Sequence, residues 1–321
     1  MAAPDYPLVP ATTAVAPPDK PSRTGAPSGG RVKRLRGTDR LVVTAMVAVP
    51  TALVVWLVWF PAVSTVLLSF TSWNGIGGLG TIKWVGTTNY VNVLTNYPPF
   101  TPAVEHNVLW LVVLFFFATP FGMFLAVLLD KEIKGGRFYQ TAIFLPVVLS
   151  LALIGFVWQL FYSQDQGLLN SVLGTKTDWY GDPSINIWAV LVAASWRHVG
   201  YIMLLYLAGL KGVDPSLREA AQMDGASEVK TFFRVVFPVL RPINVIVLVI
   251  TVIEALRAFD IVWVVNKGRN GLELISALVT QNIVGEASRI GFGSALATFM
   301  LIISLVFISI YLATVMRGEE R

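Results

Sequence analysis

The chain has 321 residues, of which 55% are hydrophobic and 13% charged, against roughly 45–50% and 25% in an average soluble domain, so a lipid bilayer is its natural solvent. It has no cysteine, which excludes a disulfide framework and a thiolate metal site. The net charge of +5 sits in the loops between apolar runs. No stacking motif or groove-reading module accompanies it, so it reads as a topology signal with no nucleic-acid partner.

Residues 1–30 are rich in Pro, Ala, Thr, Ser and Gly and predict a disordered cytoplasmic tail, because nothing periodic is available to bury. The remainder, 31–321, reads as one membrane domain. A basic cluster (Arg31, Lys33, Arg34, Arg36, Arg40) precedes 41–70, which carries no charge. That run exceeds the roughly 7–15 apolar residues of a signal peptide, and the roughly 20 needed to cross about 30 Å of hydrocarbon. Similar runs fill 108–129, 141–162 and 290–316. Two more are interrupted: 185–210 by Arg197 and His198, and 235–259 by Arg241, Glu254 and Arg257. Backbone groups in lipid must be satisfied within each segment, and the runs lack the alternation of a barrel. The fold class expected is therefore an all-α membrane protein of six transmembrane helices.

Lys and Arg set the orientation. The N-terminal flank, 130–140, 211–234 and the C-terminal tail form the more basic side, which places both termini in the cytoplasm and the chain in the cytoplasmic membrane as a multi-pass protein. The outer loops carry Lys83, Lys176, Lys267, Arg269 and Arg289, fewer for their length.

The loop between the fourth and fifth spans is patterned. Asp214 before Pro215 reads as an N-cap with proline at the first helical position. Good helix formers follow to Met223, Gly225 supplies a left-handed C-terminal residue, and Ser227 caps a second helix leading through Phe232 and Phe233 to Pro238. The expectation is a short cytoplasmic helix, a turn, and a helix entering the membrane.

Glu219, Ala220 and Ala221, then Gly225, then Val235 and Phe237 before Pro238, resemble the EAA loop of binding-protein-dependent ABC importer permeases. Val235 and Phe237 replace the usual Ile and Leu and stay apolar. Further similarity over about 40–317 is to the carbohydrate-uptake branch, with its maltose and glycerol-phosphate permeases. It is carried by Trp196 to Leu210 with its LAGL ending, DGAS at Asp224 to Ser227, FD at Phe259 and Asp260, and FGSALA at Phe292 to Ala297. Asn266 to Gly271 departs from the Gly-Gly-Pro-like stretch usual after the fifth span, in the loop that faces the binding protein. The resemblance implies an importer permease bundle with a cytoplasmic coupling helix. Arg218, Glu219, Ala220, Ala221, Asp224, Gly225 and Pro238 would contact or shape the ATPase contact, with the two alanines on a close-packed face and Glu219 beside Arg218. It also implies the partners: a second permease in a heterodimer, two ATP-binding subunits, and an extracellular or lipoprotein solute-binding protein. No GxxxxGK[ST] loop occurs in the chain, so ATP and Mg would be used by the partner ATPase. No cofactor or metal is expected here, and the chain is expected not to be an enzyme.

Ionisable residues within a span are costly and mark a cavity or a partner. One reading has Trp196, Arg197, Tyr201, Asn244, Glu254 and Arg257 lining a path for a hydroxyl-rich solute, with Glu254 and Arg257 on one helix face. The other has Arg197 and Glu254 pairing only to join two helices. His106 and His198 lack a metal-ligand or triad partner and read as structural, and the tryptophans read mainly as interface anchors. A sugar importer is the function expected. The rivals are an importer of a peptide or polyol phosphate, an ion-gradient transporter and, for want of any catalytic set, more remotely an embedded enzyme.

Overall fold

A computed structural model describes residues 37–131, 133–285 and 288–319. The tail expected at 1–30 and the cluster Arg31 to Arg36 lie outside the described residues. Two compact units divide the chain, Met1–Val55 and Trp56–Arg321. The described part of the first is helix α1, Gly37–Val54, and Val55, the first residue of a π turn.

Among its described residues the second unit has helices joined by turns and loops, and one isolated bridge, Thr71 to Trp84. In chain order it holds α2 (Phe60–Leu68), α3 (Thr88–Thr95), α4 (Phe100–Val113), α5 (Thr119–Asp130), α6 (Gly136–Val148), α7 (Leu151–Phe161), α8 (Leu168–Leu173) and α9 (Asn186–Lys211). These are followed by α10 (Pro215–Met223), α11 (Glu228–Thr231), α12 (Phe237–Val239), α13 (Arg241–Leu256), α14 (Asp260–Asn266), α15 (Ile275–Ile283) and α16 (Ile290–Glu319). π turns at Leu114–Ala118 and Phe232–Val236 join α4 to α5 and α11 to α12. The all-α membrane fold is as expected.

Among the described residues four stretches are long and apolar enough to cross a membrane: Arg40–Leu68, Phe100–Asp130, Asn186–Lys211 and Ile290–Ser309. The second begins earlier than 108, so His106 lies inside a helix. The other two expected spans are not single straight helices, and each has a local cause. Gly136–Val148 and Leu151–Phe161 meet at 106°. Leu149 and Ser150 are extended there, and Ser150 Oγ accepts from the Leu153 N–H at 3.2 Å, so a serine inside an apolar run starts a new helix. Glu228–Val239 and Arg241–Asn266 meet at 77°. Leu240 sits between Pro238 and Pro242 at φ −74°, ψ 8°, where two missing backbone donors weaken the helical ladder.

Helix α9 organises the core, since residues on every side of it are buried, from Asn186 and Val190 to Ile202, Met203 and Leu210. It packs on α5, α6, α7 and α13. Close approach depends on small residues, as usual where lipid cannot drive helices together. A Cβ on Gly200 would stand 2.3 Å from the Ile143 carbonyl oxygen of α6, and one on Gly122 would stand 2.9 Å from Ile202 Cβ and the Val199 carbonyl oxygen of α9. Gly200→Ala is therefore expected to force α6 off α9 at about 1–3 kcal/mol, read as a lower melting temperature in detergent. An unchanged melting temperature would refute this packing.

Candidate functional site

The loop between α9 and α13 forms from local capping chemistry. The Ser216 N–H donates to Asp214 Oδ1 at 2.9 Å, and Pro215 opens α10. That backbone donor, then the Ser216 hydroxyl, lowers the Asp214 carboxyl below its ordinary value. The cap accordingly holds at neutral pH and is released only as pH falls through the lowered value. At the other end the Gly225 N–H donates to Gln222 O and the Ala226 N–H to Ala221 O, both at 3.0 Å, with Gly225 at φ +75°. This double closure is the Schellman turn that glycine favours. Ser227 Oγ accepts from the Lys230 N–H at 3.4 Å and starts α11.

The return arm is anchored by Val236 and Leu240, which are buried with Tyr206, Leu207 and Leu210 of α9. Phe232, Phe233 and Phe237 gather around the π turn, while Pro238 is exposed on the following helix. On α10 the arrangement differs from the expectation. Ala220 and Ala221 do not share a face: Ala221 is buried within the chain and Ala220 is exposed. Arg218 turns inward to Asp130 at 2.7 Å rather than standing with Glu219, because a sheltered carboxylate is a stronger partner than a neighbour in water. Glu219, Ala220, Asp224 and Met223, the last 89% exposed, make up the open face.

Inside the bundle, Arg197 Nη1 lies 3.3 Å from Glu254 Oε2 and joins α9 to α13, with side chains 25% and 35% exposed. Both line a cavity of about 30 Å³ with His198, Trp110, Phe259 and Asp260, room for a water or two and not for a sugar ring. Arg257 is elsewhere. It is the C-cap residue of α13, its N–H donating to Ile253 O at 2.9 Å, and unlike Glu254 it does not line the small cavity. It lines an open groove of about 500 Å³ with Phe259, Asp260, Ser276, Thr280 and Ser304.

The remaining residues named from sequence do not converge there. Trp196 meets Trp158 edge-on at 5.8 Å. Tyr201 packs against the cluster around Ile202 and Tyr206. Asn244 Nδ2 donates to Phe237 O at 3.2 Å and so satisfies a carbonyl freed by the break at Leu240.

A triangle went unseen in the sequence. The buried His198 Nε2 lies 3.2 Å from Thr119 Oγ1 and 3.3 Å from Thr251 Oγ1, and the two hydroxyls lie 3.2 Å apart. Thr251 also donates to Val247 O. With that proton committed, all three contacts are hydrogen bonds only if His198 carries a proton on Nε2. The signal was three polar residues in apolar helices, and the depth they share depends on packing. Thr251→Val is expected to cost about 0.6 kcal/mol and at most about 1.7, measured as a shift in the unfolding midpoint in detergent. A loss well above that range would mean the triangle does more than join helices. His106 Nδ1 meets the Glu273 carbonyl oxygen at 2.9 Å. Among the described residues no three His, Asp or Glu gather to hold a metal.

Long apolar helices and two bent helix pairs around a partly buried ion pair, with a capped polar helix carried on one loop, define a multi-pass membrane protein. The model of one family, the binding-protein-dependent transport system inner membrane component, matches residues 24–317, and the chain belongs to that family. It is 33% identical to the xylose/arabinose import permease protein XacH of Haloferax volcanii, over 76% of this chain and 78% of that one. It is 31% identical to the arabinooligosaccharides transport system permease protein AraP of Bacillus subtilis, over 81% and 84%. Among solved structures it shares the fold of a bacterial ABC transporter that imports the acidic polysaccharide alginate. The TM-score is 0.75 at 19% identity, covering 87% of this chain and 96% of that one.

Proposed function

We propose that this chain is one of two non-identical permease subunits of an ATP-driven importer of a mono- or oligosaccharide. It crosses the membrane six times, with the two bent pairs each counted as one span and both termini in the cytoplasm. Two separate ATP-binding subunits supply the energy, and an extracellular solute-binding protein delivers the sugar. The α10 loop is the ATPase contact: Glu219 is its exposed polar group and Gly225 sets its turn. Closure of the ATPase pair would pull this loop and switch the bundle between accessible sides.

The observation that carries the reading is α10 itself, a capped helix with an open Glu219–Ala220–Met223 face in the loop whose sequence resembles the EAA pattern. Sugar as the substrate class is supported by relatives named for xylose, arabinose and arabinooligosaccharides. A bound binding protein is supported by a second structure of like fold, a bacterial alginate transporter in complex with an alginate pentasaccharide-bound periplasmic protein.

Reconstitution in vesicles with a second permease subunit, an ATPase and a solute-binding protein tests the proposal. ATP-dependent uptake of labelled pentoses or oligosaccharides is expected. Uptake of such sugars without any ATPase subunit would overturn it, as would ATP-driven uptake confined to peptides.

A further inference from the structure

Asp130 is the last residue of α5, the end at which the helix dipole opposes an anion, and its side chain is only 8% exposed. A carboxylate so placed is tolerable only with cationic partners. Two reach it from different elements. Arg218 Nη1 on α10 lies 2.7 Å from Oδ2, and Lys211 Nζ, on the last residue of α9, lies 3.3 Å from Oδ1. Each oxygen takes one cation, so a single side chain ties the ends of two spans to the loop helix.

The other connections of α10 are slight. Ala221 is its one buried residue. The nearby pair between Lys131 and Glu228 at 2.5 Å belongs to α11, and both side chains are mostly exposed, where such pairs hold little.

We infer that Asp130 is a positioning residue that fastens α10 to the ends of α5 and α9, so that a displacement of the loop helix moves both spans together. This rests on the reading of the loop as the ATPase contact.

Because the chain has no native cysteine, a single thiol can report on the bundle. Ser304→Cys places one in the open groove. In vesicles holding the complete complex, labelling of that thiol by a membrane-impermeant maleimide is timed without nucleotide and with Mg-ATP plus vanadate. The expected result is a several-fold, nucleotide-dependent change in rate that vanishes with Asp130→Asn while the complex still hydrolyses ATP. A merely structural role would not separate hydrolysis from the response in this way.

An undiminished response in Asp130→Asn overturns the inference. Should that variant fail to assemble, Arg218→Gln, which leaves Lys211 on Asp130, is measured instead. A full response in it overturns the inference equally, and so does failure of both to assemble. Glu219→Lys separates the two levels. A normal response in it, or none in the otherwise unaltered complex, defeats the coupling reading itself. A silent Glu219→Lys with a responsive Asp130→Asn defeats the fastening alone.

Discussion

Glu219→Lys leaves the protein in the membrane at its normal level and lowers ATP-driven uptake by about tenfold or more. The substitution falls on the open side of α10, where a change costs the fold only about 0.5 kcal/mol. Losing even about 1.4 kcal/mol of contact with a partner is a factor of ten in binding. Gly225→Pro gives the same outcome by another route. It removes the N–H that closes the turn on Gln222 O, and it demands φ near −65° where the backbone stands at +75°. Gly225→Ala is the graded control. A Cβ there meets nothing within 4 Å, so only the left-handed cost of roughly 1–2 kcal/mol applies, and most uptake persists. Membrane level by immunoblot and uptake of labelled sugar by the reconstituted complex check all three, and unchanged uptake by Gly225→Pro would defeat the assignment.

The second large effect concerns the ion pair inside the bundle. Replacing Arg197 or Glu254 alone by alanine strands its partner between α9 and α13. Such a loss costs about 3–5 kcal/mol in a fully buried pair, and less here because a quarter to a third of each side chain still reaches solvent. Assembled complex is expected to fall markedly in each single variant. The double replacement Arg197→Met with Glu254→Leu recovers it, since an apolar pair of similar volume carries no desolvation penalty. Gel filtration of the detergent-solubilised complex decides the matter. If each single variant assembles normally but loses uptake, the pair belongs to the solute path instead.

Much of this was legible because the relevant physics is local. Apolar runs announce the membrane-crossing helices, and Asp214, Pro215, Gly225 and Ser227 announce the loop, since capping acts within a few residues. The bends were hidden for an equally local reason. Ser150 sits in an apolar run, where a serine hydroxyl can as readily bond back within a continuing helix, so composition does not reveal that it starts a new one. Long-range partners were out of reach altogether. Nothing in the sequence near Arg218 points to Asp130, 88 positions away, or gathers Thr119 and Thr251 around His198. The substrate-path list mixed residues of different depth and direction because facing is decided by packing. Arg197 and Glu254 meet, Arg257 looks into another groove, and Asn244 mends a broken helix.

The corner at Ser150 bears on how the chain is made. As a straight helix, 136–161 would be long enough to cross the hydrocarbon. Bent at 106°, its halves of 13 and 11 residues reach about 20 and 16 Å at 1.5 Å per residue, short of about 30 Å of hydrocarbon. The corner is therefore worth adopting only once α9 and α14 are present to receive the two halves, as they do in the finished packing. A region whose halves are each too short to cross alone thus takes its shape from helices that follow it in the chain.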